Sequence, residues 1–242
     1  MSQANNTRFN PTVNGPLHIG HIYTILVNEA EAHATGGKFI FRFEDDQTGW
    51  VLQCGQAEID RLMAEMIEDI NWLGIPVDEW QYQSQMRPMV DEWTKALAPM
   101  DLGLKRRVFF DQQPDLIYRE VYGSYPYAPY LTSDRVIMDM ISGINLLIRG
   151  DDLVSEFCLY AFFCEFYGTF LPRHVYVPRL QLPHRELLAE ISKTTGNHKI
   201  SGFRERGVDP EELRLMLGVS CLKDPDEPWM LRNLLKEPKW IY

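Results

Sequence analysis

Two strand-like segments, each followed by a helix-like pattern, occupy about the first 75 residues of this 242-residue chain. The segment TRFN leads through a turn into an apolar stripe at helical spacing from His18 to about Ala34, and Gly36-Gly37 follows it as glycines follow a helix C-terminus. KFIFRFED is rich in aromatic and β-branched residues and predicts a strand. A second helical stripe runs from Ile59 to Ile70. This alternation predicts a parallel sheet with right-handed helical crossovers.

The second half of the chain repeats the alternation after an interruption. A helix is predicted over Met86–Leu97, and the stretch from Met100 to Tyr130 is irregular and heavy in Pro, Gly and Tyr. GINLLIRGDD then predicts a buried strand with a charged tip. A helix from about Leu153 to Phe166 and a strand at RHVYVPRL follow.

We therefore expect an α/β fold with a Rossmann-like parallel sheet as its nucleotide-binding core. This core is predicted over residues 1–185, interrupted by a short connective segment at 101–130. Residues 186–242 are predicted to form a separate segment with a small C-terminal helical appendage. In that appendage Asp209 and Pro210 have the residue types of a helix start.

Composition excludes several classes of function. The net charge of −10 argues against a broad basic surface for nucleic acid. The sequence has neither a signal-peptide pattern nor a run of about 18 apolar residues, so a cytoplasmic protein without a membrane partner is expected. Four scattered cysteines form no zinc pattern and are interpreted as buried free thiols, so we expect no structural zinc and no metal ligands. EFCLYAFFCEFYGTF is apolar on nearly every side, which suits either a buried helix or a dimer face, and the oligomeric state stays open.

The string NGPLHIGH lies where the first predicted strand passes into the first helix. Ligands of open α/β sheets bind at this edge, where the unpaired N–H groups and positive dipole of a helix N-terminus attract phosphate. Gly15 and Gly20 allow a ligand to approach the backbone. His18 and His21 are three residues apart and share one face of the first turn, where imidazoles can donate hydrogen bonds to phosphate oxygens.

The string RFNPTVNGPLHIGH resembles the nucleotide-binding signature of class I aminoacyl-tRNA synthetases and is most similar to the glutamyl/glutaminyl branch. The resemblance continues in order over most of residues 7–217. GGKFIFRFEDDQ resembles the second-strand motif of that branch, and EIDRLMAEMIEDINWLGI resembles the helix after it. MISGINLLIRGDDLVSE resembles the strand and loop of the second half. EISKTTGN resembles the mobile KMSKS loop, the signature loop of the family. FRERGVDPEELRLML resembles the helical segment beyond that loop.

The resemblance implies a ligase that activates glutamate or glutamine with ATP, with Mg²⁺ carried mostly by phosphate and water. It implies that the catalytic groups are His18, His21 and Lys193, and that Gly20, Asp152 and Ser192 also hold ATP. Arg8 and Arg149 would bind the carboxyl groups of the amino acid, Glu44 its ammonium group, and Tyr130 would contribute a hydroxyl, although its register differs from the family by one residue. Asp45 and Asp151 are interpreted as solvated turn carboxylates.

Three departures from the family pattern bear on activity. Glu190 replaces the first lysine of the mobile loop, so we expect slower adenylation unless Lys199 substitutes for it. The connective insertion is short, about 101–128, and the chain is expected to leave no room for an anticodon-binding domain. The acceptor therefore stays open between a tRNA held at few contacts, a tRNA nucleoside, and an amine on a small molecule or carrier protein.

Two other functions compete with the ligase. A catalytically silent module that binds ATP or an amino acid, as a sensor or partner subunit, is favoured by Glu190. A nucleotidyltransferase acting on another substrate is less compatible with Arg8, Glu44 and Arg149, which together suit a zwitterion that carries an extra carboxylate.

Overall fold

A computed structural model describes residues 4–46, 54–97, 129–177 and 199–217 of the chain. The strands in these ranges are β1 (Thr7–Phe9), β2 (Phe39–Phe43), β3 (Glu79–Tyr82), β4 (Leu146–Gly150) and β5 (Arg173–Val177). The helices are α1 (Ile19–Ala34), α2 (Gln56–Trp72), α3 (Gln83–Leu97), α4 (Pro129–Ile141), α5 (Phe157–Phe166), α6 (Ile200–Glu205) and α7 (Pro210–Met216), with a 3₁₀ turn at Asp151–Glu156.

The strands form parallel pairs. β1 pairs with β2 and β2 with β3, so that Arg8 lies opposite Ile40 and Phe43 opposite Tyr82. β4 pairs with β5 in parallel. The N–H of Leu146, at the start of β4, donates to the carbonyl of Asn6 beside β1 (3.2 Å), so β1 and β4 begin at the same edge. The predicted Rossmann-like parallel arrangement is confirmed.

An apolar core within the first of two compact units packs the strands against α1, α2, α6 and α7. This unit consists of the described residues up to Ser84, Leu146–Asp152, and the described residues from Arg173 onward. β2 is buried along its whole length, since Phe39, Phe41 and Phe43 enter the core and Ile40 and Arg42 are covered on the other face. Because β2 is central in the order β1-β2-β3, burial of both faces is expected of it.

The second compact unit comprises the described residues of Gln85–Asn145 and Leu153–Pro172. In it α4 packs against α5, and buried polar groups bond to each other: the Tyr160 hydroxyl donates to Asp139 (2.9 Å), and the Ser133 and Tyr167 hydroxyls lie 2.6 Å apart. The apolar helix α5 is buried at Tyr160, Phe163 and Cys164, whereas Phe162 is 52% exposed.

Several predicted elements are confirmed, whereas β3, α4 and α6 were not predicted from the sequence. The predictions of α1, β2, α2, β4 and β5 are confirmed, as is α7, where the Glu211 N–H donates to Asp209 (2.8 Å). The strand β3, EWQY, was missed because it is polar and only half-buried. The helix α4 was missed because buried polar residues, including Thr132 and Asp134, interrupt its apolar stripe. Helix α6 was also missed.

Two other sequence predictions need comment. Among the described cysteines only Cys164 is buried, whereas Cys54 is half-buried and Cys158 is exposed, so the interpretation as buried thiols is wrong for Cys158. The predicted boundary at 185/186 and the connective segment up to Ala128 lie outside the described residues. That domain division stays a prediction.

Candidate functional site

His18 and His21 form a stacked pair at the start of α1. His18 is the N-cap, with extended φ and ψ of −131° and 168°, and His21 follows three residues later. Their ring centroids are 3.5 Å apart with an angle of 23° between the ring planes. The predicted placement of both imidazoles on one face of the first turn is therefore observed, beside the positive end of a 16-residue helix.

The protonation of His21 follows from its contacts. The backbone N–H of His18 donates to Nδ1 of His21 (3.3 Å), so Nδ1 is the acceptor and Nε2 carries the proton. Burial lowers the pKa of His21 to about 4, helped by the nearby His18 ring. His21 is thus a neutral imidazole with an N–H donor at Nε2.

Gly20 makes room for this stack. A Cβ atom at residue 20 would lie 3.1 Å from Cε1 of His18, closer than ordinary contact. The absence of a side chain lets the His18 ring fold back over the helix start, in addition to the predicted access of a ligand to the backbone.

Arg8 and Glu44 are both buried, at 2% exposure each, and they are linked by the residues that follow β1. Arg8 donates through Nη1 to Oδ1 of Asn10. Nδ2 of Asn10 donates to Oε1 of Glu44 (2.6 Å), and the Thr12 hydroxyl donates to Oε2 (2.9 Å). The structure thus brings two predicted site residues together, through Asn10.

The backbone joins the same segments. The Glu44 N–H donates to the carbonyl of Pro11 (3.0 Å), and the Val13 N–H donates to the carbonyl of Glu44 (3.3 Å). Residues 10–13 and Glu44 therefore connect the ends of β1 and β2. These residues meet because the parallel pairing ends both strands at one edge of the sheet.

The interpretation of Asp45 as a solvated turn residue is wrong. Asp45 is buried and accepts two hydrogen bonds from Ser84, one from the backbone N–H (2.8 Å) and one from the hydroxyl (2.6 Å). A carboxylate can be buried here because two donors of the α3 start replace its water. Asp45 therefore anchors the end of β2, next to Glu44.

Arg149 and Asp152 lie at the end of β4, as predicted. Arg149 is 4% exposed and pairs in register with Tyr176 of β5. Asp152 and Asp151 are exposed in the 3₁₀ turn that follows, as the solvated interpretation of Asp151 predicted. A Cβ atom on Gly150 would collide with the Asp152 carboxylate, so the glycine leaves space for that side chain.

Part of the predicted site is not described. Ser192, Lys193 and Glu190 lie outside the described residues, and Tyr130 is in the first turn of α4 but its side chain is likewise outside the description. Lys199 is described: it forms an antiparallel bridge with His18, and the next N–H, of Ile200, donates to the carbonyl of Leu17 (3.0 Å). The lysine that the sequence offered as a substitute thus lies beside the histidine pair.

Sequence reasoning missed Asn10, Thr12 and the Asp45–Ser84 contact. The available signal was a run of polar residues directly after a strand, but their partners are distant in sequence and depend on the strand order. In the described part of the chain, no group of three or more His, Cys, Asp or Glu side chains is arranged to hold a metal ion.

Comparison with known proteins confirms the resemblance predicted from the motifs. Residues 5–104 match the family model described as tRNA synthetases class I (E and Q), catalytic domain. The chain is 28% identical over 227 residues to glutamate–tRNA ligase 2 of Neorickettsia sennetsu, covering 86% of this chain and 53% of that protein. It is 38% identical over 100 residues to glutamate–tRNA ligase of Polaromonas naphthalenivorans, covering 41% of this chain and 20% of that protein.

The fold has a counterpart among solved structures. Glutamate–tRNA synthetase from Elizabethkingia anophelis matches with a TM-score of 0.53 and 19% identity, over 75% of this chain and 51% of that one. The chain spans about half the length of the relative from Neorickettsia sennetsu, 53%. No helix among the described residues is long and apolar enough to cross a membrane.

Proposed function

We propose, from the match of residues 5–104 to the class I catalytic domain, that this chain activates glutamate or glutamine with ATP as an aminoacyl adenylate. The observation that carries the proposal is the geometry at one edge of the sheet. Buried Arg8 lies within β1, buried Glu44 directly follows β2, and the His18–His21 stack lies at the start of α1. Opposite charges beside a phosphate-attracting helix start suit a zwitterion and a nucleotide.

Adenylate formation requires the amino acid and ATP to be positioned, and it requires no proton transfer from the attacking carboxylate. A carboxylate oxygen of the amino acid attacks the α-phosphorus of ATP, and a new O–P bond forms as the bond from that phosphorus to the bridging oxygen breaks. Pyrophosphate leaves with the electron pair of that bond. Because the attacking group is already ionised, the protein contributes mainly orientation and neutralisation of charge.

His21 suits this role as a neutral donor. Its Nε2–H can donate to a phosphate oxygen while Nδ1 is held by the His18 N–H, so the ring does not need to change its tautomer during the reaction. His18 and the backbone at Gly20 would complete the phosphate contacts, with Ser192 and Lys193 from the signature loop. Lys199, beside His18, supports the expectation that a lysine is available there.

The amino acid would bind between charged side chains. Arg8 and Arg149 would bind its carboxyl groups, and Glu44, oriented by Asn10 and Thr12, would accept from its ammonium group. Tyr130 would add a hydroxyl, and Asp152 would accept from the ribose hydroxyls of ATP. Mg²⁺ would enter with the ATP phosphates, which together with water would supply most of its ligands.

The acceptor is proposed to be either a tRNA end held at few contacts or an amine that is tRNA-derived or belongs to a small molecule or carrier protein. The net charge of −10 favours few phosphate contacts over an extended basic interface. Both acceptors carry a nucleophile that attacks the adenylate carbonyl and releases AMP.

The proposed activity is tested by exchange of labelled pyrophosphate into ATP, run with each of the twenty amino acids, with and without tRNA. Exchange that depends on glutamate or glutamine supports the proposal. Absence of exchange under every condition, together with calorimetric binding of ATP or an amino acid, would instead support the silent module.

Arg149 provides a variant that tests the assignment of the amino-acid site. Arg149→Ala is expected to abolish selectivity for the acidic or amide amino acid and to leave ATP binding within about twofold, because the guanidinium contacts only the amino acid in this proposal. Amino-acid selectivity in the exchange reaction and calorimetry with ATP provide the two readouts. Retained selectivity would contradict the role of Arg149.

A further inference from the structure

We propose that Asn10 is a positioning residue of the amino-acid site. Its neutral amide bonds to both Arg8 and Glu44, and so orients these two opposite charges without adding a charge of its own. This inference rests on the proposed function, because it takes Arg8 and Glu44 as the groups that bind the amino acid. It concerns a residue that neither the sequence motifs nor the family resemblance singled out.

The contacts of Asn10 define which way its amide points. Arginine can only donate and an ionised carboxylate can only accept, so the Asn10 oxygen must face Arg8 and the nitrogen must face Glu44. The assignment of oxygen and nitrogen is therefore dictated by chemistry on both sides. The Thr12 hydroxyl on the other carboxylate oxygen holds Glu44 in the same orientation.

An amide is well matched to this place. Arg8 and Glu44 are almost fully buried, and buried charges are costly unless hydrogen-bonded partners replace their water. Asn10 offers an acceptor to the cation and a donor to the anion without adding charge of its own. Alanine would remove both bonds. Aspartate would keep the bond to Arg8 but place a carboxylate against Glu44.

The consequence for a substrate follows from charge. Glutamate carries one more negative charge than glutamine, so an added carboxylate at residue 10 would disfavour glutamate more than glutamine. Loss of the amide would disfavour both, because Arg8 and Glu44 would lose their shared partner and their fixed orientation. The effect of Asn10 is thus expected on the amino acid and not on ATP.

The experiment compares Asn10→Ala, Asn10→Asp and the wild type, with Asn71→Ala as a matched control. Asn71 is exposed near the end of α2, outside the proposed site, and its backbone carbonyl, which alanine retains, accepts from the N–H of Gly74 (2.9 Å). KM for L-glutamate, L-glutamine and ATP is measured by pyrophosphate exchange, and the dissociation constants by calorimetry. Thermal melts establish that each variant is folded, and Asn10→Ser replaces Asn10→Asp if the latter does not fold.

We expect Asn10→Ala to raise the amino-acid KM about tenfold or more, with KM for ATP changed less than twofold. Asn10→Asp is expected to raise KM for glutamate more than for glutamine, a ratio that a merely structural role would not move. Asn10→Ser is expected to resemble Asn10→Ala. Asn71→Ala is expected to keep the amino-acid KM of the wild type.

Two results would overturn the inference in different ways. If the wild type activates or binds glutamate or glutamine but folded Asn10 variants keep its amino-acid KM, the inference is wrong and the proposed function stands. If the wild type neither exchanges pyrophosphate nor binds either amino acid, the proposed function fails and the inference fails with it.

Discussion

His21 illustrates how much a single residue depends on its immediate neighbours. Its Nδ1 accepts from the His18 backbone, its ring stacks on His18, and its ring centroid lies 5.9 Å from that of Phe9 in an edge-to-face arrangement. These contacts remove water from the ring and add a like charge whenever His18 is protonated, so the pKa is lowered to about 4. The imidazole therefore stays neutral over the whole physiological range.

This neutrality makes a residue-scale prediction. His21→Ala is expected to lower kcat of pyrophosphate exchange by about 10²-fold, and His21→Gln, which keeps an N–H near the position of Nε2, is expected to recover part of that loss. Imidazole chemical shifts followed by NMR should show no titration of His21 between pH 5 and 8. An inflection near pH 6.5 assigned to His21 would contradict the neutral-donor role.

At the scale of elements, the turn between α1 and β2 depends on two glycines for different reasons. Gly36 has a φ of 74°, the left-handed conformation that ends α1, and Gly37 donates to the carbonyl of Ala32 (2.8 Å). A Cβ atom on Gly37 would overlap the backbone carbonyl of Asn5, which leads into β1. The glycine pair was predicted as a helix end, but the close approach to Asn5 follows only from the packing of the first strand.

We expect Gly37→Ala to destabilise the fold by about 2–4 kcal/mol, because the clashing atoms are backbone and cannot move aside. Gly202→Ala is the matched control: residue 202 is in helix α6 and a Cβ atom there has no neighbour within 4 Å, so stability should be unchanged or rise by up to about 1 kcal/mol. Urea unfolding measures both. Equal stabilities of the two variants would contradict the packing argument.

At the scale of the whole molecule, the acidic composition does not show which carboxyl group makes the free energy of unfolding depend on pH. The chain has 34 acidic residues, and a carboxylate at a protein surface gains little from folding. Asp69 on α2 differs because it is completely buried. Among the described residues neither of its oxygens accepts a hydrogen bond, although Arg204 Nη2 is 3.5 Å from Oδ1. Burial raises its pKa to about 7, and the neighbouring Glu65 and Glu205 add to the shift.

The sign of the pH dependence follows. Between about pH 4 and pH 7 the folded chain keeps a proton on Asp69 that the unfolded chain has lost, so the free energy of unfolding falls as pH rises through this window. Asp69→Asn is expected to flatten that slope and to stabilise the protein at pH 8 by on the order of 2 kcal/mol. Asp60→Asn, on the exposed face of the same helix, should leave the slope unchanged. Urea midpoints measured from pH 4 to 8 test this, and an unchanged slope in Asp69→Asn would contradict it.

The sequence by itself determined the local elements and the chemical character of the site. Apolar periodicity, glycine placement and the HIGH string depend on neighbours within a few residues, so α1, β2 and the His18–His21 pair could be predicted. Asp209 and Pro210 at the start of α7 are local in the same sense.

Only the tertiary structure decided which distant residues meet. Asn10 contacts Glu44, Asp45 contacts Ser84, and Lys199 contacts His18, across separations that no local pattern encodes. The polar strand β3 and the helix α4, which buries polar side chains, could not be predicted from apolar periodicity. Their burial is set by the elements they pack against and not by their own hydrophobicity. The sequence specifies the chemical groups of the side chains, whereas the strand pairing determines which of these groups lie close together.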